Sequence, residues 1–318
     1  MTTLTDRPTP DRRPVTLKAS GSRIGERIIV ALLRVCAAIS ILTTIGIVAV
    51  LFVDAAAFFR NEGISLGGFL TGTEWRPFGG VDQGEFGVLP LVLGTLLVTV
   101  IALIVAVPLG LASAAYLSEF APARVRRFLK PTLEVLAGVP TVVLGYFALT
   151  FMTPLLRATA GQLTDVSIFN AASAGIVMGI MIVPTIASLS EDAMSAVPVA
   201  LREGAYGLGS SKRHVVTRVV VPAALSGIVA AVILGLGRAI GETMIVAIAG
   251  GNLPNMTYNP FDQIQAMTAY IVQAVQGEAP RGSLTYQSIF AIGALLFVMT
   301  LALNLVAARF VRKYREAY

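Results

Sequence analysis

Residues 86–122 read FGVLPLVLGTLLVTVIALIVAVPLGLASAAYLSEFAP, and from Phe86 to Ser118 no side chain is charged. This uncharged run of 33 residues exceeds the about 20 apolar residues with which a helix crosses a bilayer. At roughly 1.5 Å per residue it would reach about 50 Å, too long for one straight crossing of a core roughly 30 Å thick, so a bend near Pro90 is expected. Working outward, similar runs lie at 35–53, 135–156, 166–190, 219–237 and 282–308. The chain of 318 residues is 55% hydrophobic and 13% charged, with a mean hydropathy of +0.78, more apolar than a soluble surface tolerates. Backbone groups in lipid need internal partners, and the alternation of a barrel strand is absent. The reading is an all-α integral membrane protein: a bundle of six transmembrane helices over about 28–53, 86–117, 131–153, 168–190, 223–249 and 284–308. Residues 27–318 form the membrane domain. Residues 1–26, rich in Pro, Thr and Arg, read as a disordered cytoplasmic tail.

Charge sets the orientation. Of 24 Lys and Arg residues, 18 fall in 1–27, 118–130, 197–222 and 309–318, and only Arg60, Arg76, Arg157 and Arg281 fall in the alternate loops. The positive-inside rule then places both termini in the cytoplasm. Arg34 is close enough to the cytoplasmic end of its span to snorkel. The surroundings expected are lipid and partner proteins, not nucleic acid. The single Cys36 excludes an internal disulfide or a cysteine metal cluster. The single His214 sits in SSKRHVVTR without a carboxylate to orient it, so neither a catalytic nor a metal role is assigned. GAYGLGSSK at 204–212 has Ser210 where a phosphate loop needs Lys, so this chain carries no ATPase motif and no cofactor of its own is expected.

Two charges interrupt the fifth run: GLGRAIGET, residues 235–243, holds Arg238 and Glu242. A span starting near Pro222 carries Arg238 roughly 24 Å along it, into the middle or outer half of the membrane. A charge there costs at least about 2.5–3.5 kcal/mol on insertion scales. One reading is mutual neutralisation at i and i+4 on one helical face, though with Arg on the N-terminal side, the poorer order. The other is that Arg238 faces a translocation path where its planar fork meets an oxyanion, with Glu242 holding it between visits. Glu134, at the start of the third span, is a further candidate for the path or reaches only the interface. Thr95 and Thr99, four apart on one face, either offer hydroxyls to the path or bond between helices.

Between the fourth and fifth spans runs VPVALREGAYGLGSSKRHVVTRVVVPAALSG, residues 197–227. Pro198 suits a first helical turn, Gly209 the position past a helix end, and Ser210 or Ser211 the cap of a second helix starting near Lys212. The first helix carries Arg202, Glu203 and Tyr206 at i, i+1 and i+4, a polar and aromatic face suited to a partner's groove, or simply a solvated loop.

Glu203, Gly204 and Ala205, then Gly209, Val219, Val221 and Pro222, match the spacing E-A-A-x3-G-x9-I-x-L-P, and the chain resembles the permeases of ATP-binding-cassette importers that carry this loop. Gly204 stands for the middle Ala, and valines for Ile and Leu. The stretches WRPFGG, 86–122, EVLAGVPTVVLGYFAL (134–149) and LGLGRAIGETMIVAIAGGN (234–252) look like the permeases of phosphate-specific transport systems. WRP and FGVLPLVLGT look more like the C-type than the A-type subunit. The resemblance implies a type I importer fold with a cytoplasmic coupling helix within 197–222, docked on a dimer of ATP-binding subunits that hold ATP and Mg. It also implies an A-type permease partner, an extracytoplasmic phosphate-binding protein meeting the loops at 54–85, 157–165 and 250–281, and phosphate as the oxyanion at Arg238. Two rivals stay open here: another oxyanion such as sulfate or molybdate, and a passive channel or signalling scaffold.

Overall fold

The computed structural model describes residues 24–77, 84–162, 164–277 and 279–313. The tail expected over 1–26 falls, up to residue 23, outside the described residues. The first helix, α1 (Ile24–Phe59), is divided between two units: the chain through Ala49 forms one, and the chain from Val50 onward the other. In the first unit the helix is apolar and bare, with Ile28, Leu32, Leu42 and Ile45 exposed.

The second unit continues through α2 (Leu66–Thr71), capped by Ser65, and a two-residue antiparallel pair, β1 (Trp75–Arg76) with β2 (Glu85–Phe86). Next come α3 (Leu89–Ala115), α4 (Ala123–Ala137), α5 (Thr141–Phe147), α6 (Thr153–Thr159) and α7 (Ala171–Ser195). The chain ends with α8 (Val199–Gly207), α9 (Lys212–Val215), α10 (Val221–Ala223), α11 (Leu225–Ile240), α12 (Met267–Gln276) and α13 (Leu284–Lys313). Among the described residues the π-helical turns Tyr116–Phe120, Ala148–Met152, Val216–Val220 and Val246–Gly250 join or extend these elements.

Among the described residues five helical segments are long and apolar enough to cross a membrane, and a sixth crossing exists if the pair Lys212–Ala223 and Leu225–Ile240, bent by 72°, counts as one. Pro90 is no bend. It lies in the first turn of α3, where the missing N–H costs nothing, and the helix runs unbroken over the 32 residues Leu89–Phe120. The span expected at 131–153 divides: Gly138 and Pro140 end the polar helix α4, and the apolar crossing is Thr141–Thr159.

Helices α3 and α7 form the centre, and glycine sets their approach. A Cβ on Gly175 would stand 2.7 Å from Ile101, one on Gly179 2.8 Å from the Ala102 carbonyl, and one on Gly110 2.8 Å from Ile186. These contacts climb both helices in the same direction, so the two run parallel. Around this seam Val98, Ala102, Ala106, Met178, Ile182 and Ile186 are buried together with Ile245 and Ile264. Near the hairpin, Phe58, Phe69, Phe86, Trp75 and Tyr270 pack edge to face, the favoured geometry for aromatic pairs. At the other end Ala114, Met194, Val197, Val215, Val220 and Ile228 close a third cluster beneath α8.

Candidate functional site

Arg238 lies in the last turn of α11. It is half-buried, and its Nη1 donates to Thr185 Oγ1 at 3.0 Å. Thr185 is ten residues before the end of the 25-residue α7, so the guanidinium sits about 15 Å from that end, at mid-depth of the bundle. Thr185 follows Pro184, which has no N–H for the helical ladder. Among the described residues Arg238 pairs with no carboxylate, so of its five N–H donors most remain open.

Glu242 does not share a helical face with Arg238. The helix ends at Ile240, Gly241 closes it, and the chain turns before helical residues 244–250. Glu242 Oε1 accepts from the Met244 and Ile245 N–H groups at 3.0 and 3.3 Å, capping the next helix start. The i, i+4 neutralisation, one of the two readings, is therefore not formed, and neither does Glu242 hold Arg238 as the other reading had it, because glycines 235, 237 and 241 around the arginine favour a break over a continuous helix.

Thr95 and Thr99 are buried and their hydroxyls are used. Thr99 donates to the Thr95 carbonyl at 2.7 Å. Thr95 donates to the Leu91 carbonyl at 2.8 Å and accepts from the Met267 N–H at 3.0 Å, pinning the start of α12 onto α3. One residue on, Thr268 Oγ1 donates to the Glu242 carbonyl at 2.8 Å. Thr95 alone bonds to another helix; the Thr99 hydroxyl is spent inside α3.

Glu134 is exposed on α4, outside the third crossing. It lines a cleft of about 530 Å³ with Arg126, Arg127 and Lys130. Inward from this cleft lies a group absent from the sequence reading, Glu191. Its side chain is fully buried, and it pairs with Arg126 and, at 2.7 Å, with Lys130, which also reaches Asp192 at 2.8 Å. Ser195 Oγ donates to the same carboxylate at 3.0 Å. The Asp192 and Glu191 hydrogen bonds hold the Lys130 pKa above the ordinary lysine value of 10.5. The only signal in the sequence is an acid pair directly after an apolar run.

In the 197–222 loop the local signals hold. Pro198 stands immediately before the first residue of α8, with no capping bond, Gly209 takes φ +78°, which a side chain disfavours, and Ser211 caps the helix that starts at Lys212. Glu203, Gly204 and Tyr206 are exposed and Ala205 is half-buried. Pro222 sits in the first turn of α10, next to the 72° bend. Arg202 departs from its expected place on the outer face: only 14% of its side chain is exposed, and it pairs with Glu119 at 3.1 Å.

Residues 106–316 match the family described as binding-protein-dependent transport system inner membrane component. The chain belongs to this family. Among curated relatives, the probable ABC transporter permease protein YqgH of Bacillus subtilis is 35% identical over 83% of this chain and 84% of its own length. The phosphate transport system permease protein PstC of Haemophilus influenzae is 34% identical over 79% and 82%, and PstC 1 of Mycobacterium tuberculosis 34% over 82% and 85%. Among solved structures, a bacterial alginate ABC transporter in complex with an alginate-bound periplasmic protein matches with a TM-score of 0.62, 17% identity, and coverage of 92% of this chain and 98% of that one. The inward-facing methionine transporter MetNI matches at 0.53, 19%, 72% and 95%. The fold is that of the type I ABC importer permeases, and this family member is a membrane-spanning permease subunit.

Proposed function

We propose that this permease is the C-type subunit of an ATP-driven importer of inorganic phosphate, contributing half of the translocation path. The observation that carries the reading is Arg238: a guanidinium at mid-depth, held by one threonine hydroxyl, with no carboxylate partner among the described residues. A tetrahedral oxyanion offers two acceptor oxygens to such a fork, which gives direction as well as charge. The names of the curated relatives support phosphate as that oxyanion.

On this reading both termini are cytoplasmic, an A-type permease completes the path, and a phosphate-binding protein meets the opposite face. Two ATP-binding subunits, which hold ATP and Mg, dock below the paired permeases, one of them on α8. Their cycle rocks the paired bundles between outward and inward openings. Glu242 serves by fixing the helix break beside Arg238, not as its counter-ion.

The test is uptake of labelled phosphate by cells whose only copy is wild type or Arg238→Gln, with co-purification of the ATPase subunits checked in parallel. Assembly with collapsed uptake supports the assignment. Unchanged uptake overturns it, and wild-type uptake of sulfate in place of phosphate overturns the substrate.

A further inference from the structure

Arg202 turns away from the exposed face of α8 and uses every guanidinium nitrogen inside the protein. Nε donates to Glu119 Oε1 at 3.1 Å, Nη1 to the Val197 carbonyl at 2.6 Å and Nη2 to the Met194 carbonyl at 2.7 Å. Met194 and Val197 flank the end of α7. Glu119 lies in the π turn Tyr116–Phe120 that terminates the central helix α3, where Ser118 Oγ donates to the same carboxylate at 3.2 Å. The Glu119 side chain is 8% exposed, so this pair escapes the solvent competition that weakens surface ion pairs.

A second contact reaches the same turn. Lys212 Nζ, at the start of α9, stands 5.0 Å from the centroid of the Phe120 ring, within cation–π range. The segment α8–turn–α9 thus grips two adjacent residues of one five-residue π turn, from both of its ends. A π turn is a local departure from the regular helical ladder and recurs at functional joints. Beyond it, α3 is locked along α7 by the glycine contacts, so a displacement of this turn acts on the centre of the bundle.

We propose that Arg202 is a positioning residue that passes movement of α8 to α3 through Glu119, and is not a contact of the docked ATPase. This rests on the reading of 197–222 as the coupling loop. Glu203, Gly204, Tyr206 and Leu208 remain the surface offered outward, while Arg202 is the strap beneath it.

The experiment uses the full complex in liposomes, with Cys36→Ser and a fluorophore on a cysteine at Tyr146→Cys, an exposed position of α5. Three quantities are read: bound ATPase subunits, ATP hydrolysis, and the ATP-driven change in emission. Arg202→Gln and Glu119→Gln are expected to keep their ATPase subunits and hydrolyse ATP while the emission change falls on the order of tenfold. Arg202→Lys, which retains the charge opposite Glu119, recovers part of it. The proposal is overturned if Arg202→Gln sheds the ATPase subunits, or if Glu119→Gln responds as wild type. A wild-type complex that binds no ATPase overturns it together with the coupling-loop reading. The emission readout needs no phosphate, so failure of the substrate assignment registers separately, as absent phosphate uptake by the wild-type complex.

Discussion

A guanidinium at mid-depth with a single hydroxyl partner among the described residues makes a sharper prediction than loss of charge. Arg238→Lys preserves the charge but loses the planar fork. Phosphate uptake is expected to fall by roughly ten- to a hundredfold, the size of a lost charged hydrogen bond, measured at equal membrane abundance. For Glu242 the chemistry separates capping from charge pairing. Glu242→Gln keeps a carbonyl oxygen for the Met244 and Ile245 N–H groups and is expected to melt near wild type, whereas Glu242→Ala loses about 1 kcal/mol with the cap. Equal damage from both, read by thermal unfolding in detergent, would count against the cap. At Glu191 the prediction reverses the usual intuition. Replacing both Arg126 and Lys130 by Met strands a buried carboxylate and is expected to cost about 3 kcal/mol or more. The raised Lys130 pKa gives the sign of the pH dependence: its contribution is complete below the ordinary lysine value of 10.5 and is lost only as pH climbs through the higher value of the folded protein. Pro198, Gly209 and Ser211 were legible in the sequence because a helix end is a local matter of three or four residues. Glu191 was not, because its partners lie 65 and 61 residues away and only packing brings α4 beside α7.

At the scale of elements, the seam between α3 and α7 depends on missing side chains. Gly179→Leu would force a branched side chain onto the Ala102 carbonyl and Val105, and overpacking of this kind costs about 1–3 kcal/mol or more. The expected outcome is a lower yield of folded, monodisperse protein by size-exclusion chromatography, while the same change at Gly204, which faces open space, leaves the yield unchanged. Apolar run length revealed the crossings but not their joints. The third crossing was displaced because 123–137 is helical yet polar, so hydropathy placed the helix start at the apolar boundary. The fifth crossing read as one helix because run length reports only that a segment is apolar enough to cross. It does not report that Glu242 will cap a new helix start and Thr268 will hold the Glu242 carbonyl from the far side of the chain.

For the whole molecule, the proposed assembly is tested on the charged and apolar surface that remains exposed. Glu203→Lys is expected to reduce co-purification of the ATPase subunits by roughly tenfold or more, the scale of a like-charge contact at a docking surface, while leaving thermal unfolding of the permease unchanged, since Glu203 is exposed and takes no part in the strap. The helical membrane architecture was legible from composition and run length alone, whereas the inward turn of Arg202 depended on a partner 83 residues earlier in the chain. The α8 surface has a further consequence, for the life of the chain in the cell. Val199 and Leu208 are 61% and 88% exposed on a segment that lies outside the apolar crossings, so a copy synthesised without its partners displays an adhesive face to quality-control proteases. On the proposed function the docked ATPase covers this face, and a copy left without it keeps these apolar side chains in water, open to proteolysis.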